Sequence, residues 1–195
     1  GISPVIPTYI LPRSDWGRLS QDETPEGAMA VVRRPAQPTM QDVLTRRKEH
    51  LLLLHEVSNP NNLGAVLRTA RWFGFQMVAI SEGSVDVTHP KVVRTAMGSL
   101  FYLDVLDGVD FIKILPDVAK YCQLIGTDPR GGIPPHGCTR RTALVFGSES
   151  HGLPEKLLEM TTERWCIPGG EKTDSLSLPQ AAAIMMYACM KTDAH

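Results

Sequence analysis

The chain has 195 residues, 43% of them hydrophobic and 21% charged, a balance that suits one globular domain with an arm and excludes a disordered chain. Lys plus Arg number 20 against 21 Asp plus Glu, a net charge of −1, which excludes a uniformly basic nucleic-acid coat and leaves room for a local basic face. The four cysteines, at 122, 138, 166 and 189, have neither metal-ligand spacing nor the density of a disulfide framework, and read as reduced thiols of a cytoplasmic protein.

Residues 1–48 read as an arm or linker. Six of the fifteen prolines fall there (Pro4, Pro7, Pro12, Pro25, Pro35 and Pro38), with one short strand expected at Ala28–Arg34 and a polar helix at Gln41–Glu49 holding Arg46, Arg47 and Lys48. The first residue is Gly1 and no signal-peptide pattern follows, so a truncated chain with a missing upstream domain is expected.

Residues 49–195 alternate short apolar runs with helix-length segments. Strands are expected at Leu51–Val57, Met77–Ser81, Phe101–Leu106, Leu124–Thr127, Ala143–Phe146 and Trp165–Ile167. Helices are expected at Leu63–Phe73, Pro90–Met97, Val109–Tyr121, Pro154–Met160 and Leu178–Lys191. This order implies an α/β fold, a mostly parallel sheet with helices on both faces. The longest apolar run, Ala181–Met190, is well short of the ~20 residues that span a bilayer, so no membrane partner is expected.

Open parallel sheets bind ligands at the carboxyl ends of their strands, and three polar loops follow strands here. The first holds Asn59, Asn61 and Asn62 ahead of an apolar helix with Gly64 and Arg68. One Asn suffices as an N-cap; six residues separate Asn62 from Arg68, so both are expected to point towards one mouth. The second loop, Gly147-Ser-Glu-Ser-His-Gly152, is neither a nucleophile elbow nor a P-loop. The third runs from Ile167 through Gly169 and Gly170 to Ser175, Leu176 and Ser177. There Asp174, Ser175 or Ser177 is expected to cap the last helix, with Pro179 in its first turn.

N-P-N-N-L-G-A-V-L-R-T-A-R-W-F-G, F-G-S-E-S-H-G-L and I-P-G-G-x-x-x-x-S-L-S, in this order, resemble the SpoU/TrmH-type RNA ribose 2′-O-methyltransferases of the SPOUT class. The segment from His89 to Phe101 is also similar to the family's stretch between its first two motifs. The resemblance covers residues 50–190 and implies a C-terminal trefoil knot, a homodimer and bound S-adenosylmethionine. It also implies catalytic roles for Asn62, Arg68, Glu149 and Ser175. Cofactor contacts follow at Gly147, Ile167 and Leu176, with Thr127 and Ser177 added to the same pocket. Ser177 stands where the family usually has Asn, and Leu178-Pro179 where it has Val-Ser.

A guanidinium is effectively always protonated. Arg68 is therefore expected to donate to the developing alkoxide instead of acting as base, with Glu149 orienting Asn62 or balancing charge near the cofactor. Gly147 is expected to leave room for the cofactor. RNA would be held by a local basic face, with Arg71, Arg94, Lys91 and Arg130 the foremost phosphate contacts. No metal is expected. The function so implied is 2′-O-ribose methylation of tRNA or rRNA. The rival is a non-catalytic RNA-binding or ribosome-assembly factor with the same fold, and a dinucleotide-dependent dehydrogenase is excluded by the absence of G-x-G-x-x-G after the first strand.

Overall fold

A computed structural model describes residues 6–20, 27–34, 36–46, 49–170 and 176–191. By internal contacts the chain divides into Gly1–Pro35 and Ala36–His195. Among the described residues the first unit holds one helix, α1 (Arg13–Leu19), with no buried residue. The strand expected at Ala28–Arg34 does not form: among the described residues no strand pairs with it, and Val31 is 99% exposed. A β-branched run has no reason to stay extended without a backbone partner.

The second unit opens with α2 (Met40–Arg46), whose Val43 and Leu44 are buried. Then follow β1 (Leu51–Leu54), α3 (Pro60–Trp72), β2 (Met77–Ser81), α4 (Pro90–Thr95), a 3₁₀ turn (Ser99–Tyr102) and β3 (Asp104–Val109). The chain continues through α5 (Phe111–Val118), β4 (Gln123–Thr127), β5 (Thr142–Phe146), α6 (Glu155–Leu158), β6 (Glu163–Trp165) and α7 (Leu178–Met190). The six strands form one parallel sheet in the order β3-β2-β1-β5-β4-β6. In register, Leu51 lies opposite Met77 on one side and Ala143 on the other.

The three central strands are buried along their whole length, because helices cover both faces of the sheet. Successive residues alternate between faces. Leu52, Leu54, Val78, Ile80, Leu144 and Phe146 share one core with α3 and α7. Leu51, Leu53, Met77, Ala79, Ala143 and Val145 share the other with α2, α5 and α6.

The first, third and last expected strands are displaced, the last to Glu163–Trp165 from the expected Trp165–Ile167. The first ends at Leu54, because Glu56 turns out of the sheet with a positive φ of 50°. The third begins at Asp104: Gly98 (φ 79°) starts the 3₁₀ turn, which leaves Phe101 and Tyr102 exposed. Asp110 caps α5 by accepting from the amides of Ile112 and Lys113, so that helix starts after Val109 and not at it. α4 packs tightly against α3 at Gly64, where a Cβ would lie 2.7 Å from the Val92 carbonyl oxygen.

The strand order puts the β1 and β5 carboxyl ends side by side, while the chain leaves them in opposite directions, β1 towards β2 and β5 towards β6. This is the crevice where open α/β sheets take ligands.

Candidate active site

A cavity of about 970 Å3 opens at the carboxyl ends of β4, β5 and β6, at the upper end of the range for small-molecule sites. Its walls are the loops after those strands and the first turns of α7, with Asn62 reaching in from α3. Thr127, Gly147, Ile167, Leu176 and Ser177 all line it. Leu178 and Met185 add apolar wall, and Ser148, Glu149, Ser150 and His151 add a polar one. One side thus suits a flat apolar base and the other suits polar groups.

The β1 loop builds its side of the site from backbone donors. Asn59 caps α3, accepting through Oδ1 from the amides of Asn61 (2.9 Å) and Asn62 (3.4 Å), with Pro60 in the first helical position. The cap leaves the Asn62 side chain free to donate from Nδ2 to Glu149 Oε1 at 3.0 Å, and Glu149 Oε2 accepts from the Ser58 amide at 3.4 Å. One carboxylate therefore ties the β1 loop to the β5 loop across the crevice. Among the described residues no Lys or Arg pairs with Glu149.

Glycine at 147 serves the turn itself. Its missing Cβ faces the backbone of Gly152 and Leu153, where the loop folds back in a bridge between Ser148 and Gly152. The expectation that Gly147 leaves room for a cofactor is thus corrected: the room beside its Cα is filled by the returning loop. Ser150 Oγ and His151 Nδ1 are 2.7 Å apart on the same loop. Ser177 is the N-cap of α7, and both its amide (3.2 Å) and its hydroxyl (2.8 Å) donate to Gln180 Oε1. Ser175 lies outside the described residues, as do Arg47 and Lys48.

Arg68 is not on this cavity. It lines a shallow depression on another side of α3 with Thr69, Arg71, Trp72, Phe73 and Ser99. Six helical residues carry it roughly 9 Å along the axis and about a third of a turn away from Asn62, so one chain does not bring the two side chains together. Arg71 sits 4.9 Å over the Tyr102 ring, and Arg94 and Lys91 are exposed on α4. Trp72, 82% exposed, stands among them. The sequence reading missed this exposed aromatic group because Trp72 and Tyr102 fall in runs whose apolarity looked like core.

Arg130 lines the cavity but is not a bare cation. Its Nε donates to Asp128 Oδ1 (2.9 Å) and its Nη2 to Asp128 Oδ2 (3.2 Å), with Glu155 3.5 Å from Nη2. The guanidinium holds the Asp128 carboxyl below its ordinary range, against the opposing effect of burial. Among the described residues no group of His, Cys, Asp or Glu could hold a metal ion, and no helix is long and apolar enough to cross a membrane.

The family model described as the SpoU rRNA Methylase family matches residues 49–187. A curated relative, the 23S rRNA (guanosine(2553)-2′-O)-methyltransferase RlmP of Bacillus subtilis, is 31% identical over 189 residues, 93% of this chain and 72% of that protein. A solved structure described as a putative RNA methyltransferase of the TrmH family, from Porphyromonas gingivalis, is 33% identical with a TM-score of 0.77, over 91% of this chain and 72% of that one. The SpoU methyltransferase AviRb of Streptomyces viridochromogenes, solved in complex with the cofactor AdoMet, is 26% identical with a TM-score of 0.68, over 79% of this chain and 61% of that one.

Proposed function

This chain belongs to the SpoU rRNA methylase family, and from that premise we propose that it methylates a ribose 2′-hydroxyl of RNA with S-adenosylmethionine, its substrate class being rRNA as in the name of its Bacillus subtilis relative. The observation that carries the reading is the Asn62–Glu149 hydrogen bond across the β1/β5 crevice, at the edge of a cavity large enough for the cofactor.

The donor set fits the cofactor. Ile167, Leu176 and Leu178 offer apolar surface to the adenine, and the loop backbones at Gly147 and Gly169 offer polar groups to its edge. When bound, S-adenosylmethionine supplies the methyl group as an electrophile on sulfur. The protein's own work is to hold the ribose oxygen in line and to stabilise it as its proton leaves. Glu149 fixes the Asn62 amide, which keeps a second N–H for the ribose or the cofactor. Arg68, always protonated, donates to the oxygen as it gains charge.

Because Arg68 lies away from the cavity of its own chain, the reading includes a homodimer in which Arg68 of one copy serves the cavity of its partner. Exposed apolar side chains on α3 and α7 (Trp72, Ile184 and Tyr187) support such a contact. The C-terminal trefoil knot belongs to the same reading. It is supported by the bond from the Cys138 amide to the Cys189 carbonyl, which holds the β4–β5 connection against the end of α7. The basic side chains of Arg68, Arg71, Lys91 and Arg94 give RNA phosphates a local landing face.

Calorimetric titration of S-adenosylmethionine into the wild type and Arg68→Ala, followed by methyl transfer to rRNA, tests the proposal. The variant is expected to bind cofactor within about twofold of wild type while transfer falls by roughly 10²–10³. Binding without transfer to any RNA by the wild type would mean a non-catalytic RNA-binding factor, and no binding would overturn the assignment of the cavity.

A further inference from the structure

The loop after β4 builds a small polar device that the methyl-transfer chemistry leaves unexplained. Asp128 follows the strand directly, and its side chain is only 7% exposed. Its carboxylate accepts from the Arg130 amide (3.0 Å) as well as from Nε and Nη2 of the same residue. Glu155, at the start of α6, lies 3.5 Å from the same Nη2 and is itself held by Arg164 Nη2 at 2.8 Å. The β4 loop is anchored to β6 by the bonds from the Asp128 amide to the Trp165 carbonyl and from the Ile133 amide to the Arg164 carbonyl. Two acids and two arginines cancel in charge, so this quartet is not a patch that attracts polyanions.

A guanidinium has five N–H donors. The Nε–H and the Nη2 pair of Arg130 face Asp128 and Glu155, which leaves the two Nη1 donors without a partner among the described residues. The side chain is 64% exposed and lines the cofactor cavity. Among the described residues of that lining, Arg130 is the one Lys or Arg. S-adenosylmethionine carries one carboxylate, and a carboxylate taken into a cavity needs donors to replace its water. A fork already fixed in position is the suitable donor, because little side-chain entropy is then lost on binding.

We propose that Arg130 is the clamp for the carboxylate of the cofactor's methionine part, donating from Nη1, with Asp128 and Glu155 as its positioning residues. The proposal rests on the reading of this cavity as the S-adenosylmethionine site and names the group that grips the end of the cofactor away from the adenine. It moves Arg130 from the RNA phosphate contacts to the cofactor.

The test compares binding of S-adenosylmethionine with that of its decarboxylated analogue, which keeps the adenosine, sulfonium and ammonium. Calorimetry is run on wild type, Arg130→Gln and Asp128→Asn, with RNA affinity measured beside it. The wild type is expected to prefer S-adenosylmethionine by roughly ten- to hundredfold, the range for a hydrogen bond to a charged group. Arg130→Gln is expected to lose this preference while binding the analogue as the wild type does, and Asp128→Asn to lose part of it. A purely structural role would weaken both ligands equally and leave the preference intact, which overturns the clamp. So does a variant with unchanged cofactor binding and weakened RNA binding, which returns Arg130 to the phosphates. If the wild type binds neither ligand, it is the cofactor-site reading that fails, and the clamp with it.

Discussion

Gly64→Ala puts two opposed effects into one substitution. In a helix interior Ala is favoured over Gly by about 0.8–1.0 kcal/mol, so propensity alone predicts a more stable protein. The structure predicts the reverse. A Cβ at position 64 would lie 2.7 Å from both the Val92 carbonyl oxygen and Thr95 Cβ, and 3.1 Å from the Ala96 amide nitrogen. α3 and α4 must then separate by 0.7 Å, the gap between 2.7 Å and the 3.4 Å at which ordinary contact begins. Neither blocking atom is the far end of a flexible side chain, so the strain falls on backbone, and overpacking of this kind costs about 1–3 kcal/mol. The net expectation is a loss of up to about 2 kcal/mol, read as a fall in Tm of up to roughly 8 °C for a domain of this size. Thermal unfolding reads the balance. A Tm above that of the wild type, the outcome propensity alone predicts, would refute the close approach of the two helices.

The Glu149 carboxylate should matter to turnover more than to folding. Glu149→Gln keeps an acceptor for Asn62 but loses the charge assistance, and methyl transfer is expected to fall by roughly three- to tenfold, with Glu149→Ala lower still. Turnover at the wild-type rate in Glu149→Ala would remove it from the site. The His136–Glu163 contact, 3.1 Å long, supplies a pH dependence. The Glu163 hydrogen bond raises the His136 pKa above its ordinary 6.5, helped by the Gly137 carbonyl and opposed by burial. A raised pKa contributes stability that is full below 6.5 and is lost as the pH climbs through the folded-state value. The advantage of wild type over His136→Gln in denaturant unfolding should therefore shrink between pH 5.5 and 8.5. It should stay below about 1 kcal/mol, because the imidazole is half exposed. An advantage that grows with pH would contradict the assignment.

The parts of the fold that were legible in the sequence are those set by local pattern. Met77–Ser81 and the β5 run read as buried strands because a parallel sheet covered on both faces requires continuous apolar stretches. The body of α3 was legible from Leu63 on, while its start at Pro60, behind the Asn59 cap, lies three residues earlier than expected. The three loops were legible as motifs because chemistry at a strand end needs polar and glycine residues at fixed spacing. Ala28–Arg34 and Phe101–Leu106 misled, since a β-branched or apolar run becomes a strand only where another strand offers its backbone.

Tertiary structure decided everything that depends on which loops meet. No local pattern says that Glu149 will accept from Asn62, 87 positions earlier; that bond exists because the strand order sets β5 beside β1. Spacing along α3 brought Asn62 and Arg68 close in number, yet helical twist turns Arg68 out of the cavity and onto another surface. Arg130 read as an RNA phosphate contact until Asp128 on the β4 loop and Glu155 at the start of α6 fixed its guanidinium at the cavity wall. The sequence alone determined the α/β class and the three loops, because these follow from residue type and spacing, and the family through the resemblance of those loops' motifs. The partners of each charged and amide group were settled by the sheet order, because hydrogen bonds depend on distance through space, and only the fold converts positions along the chain into distances.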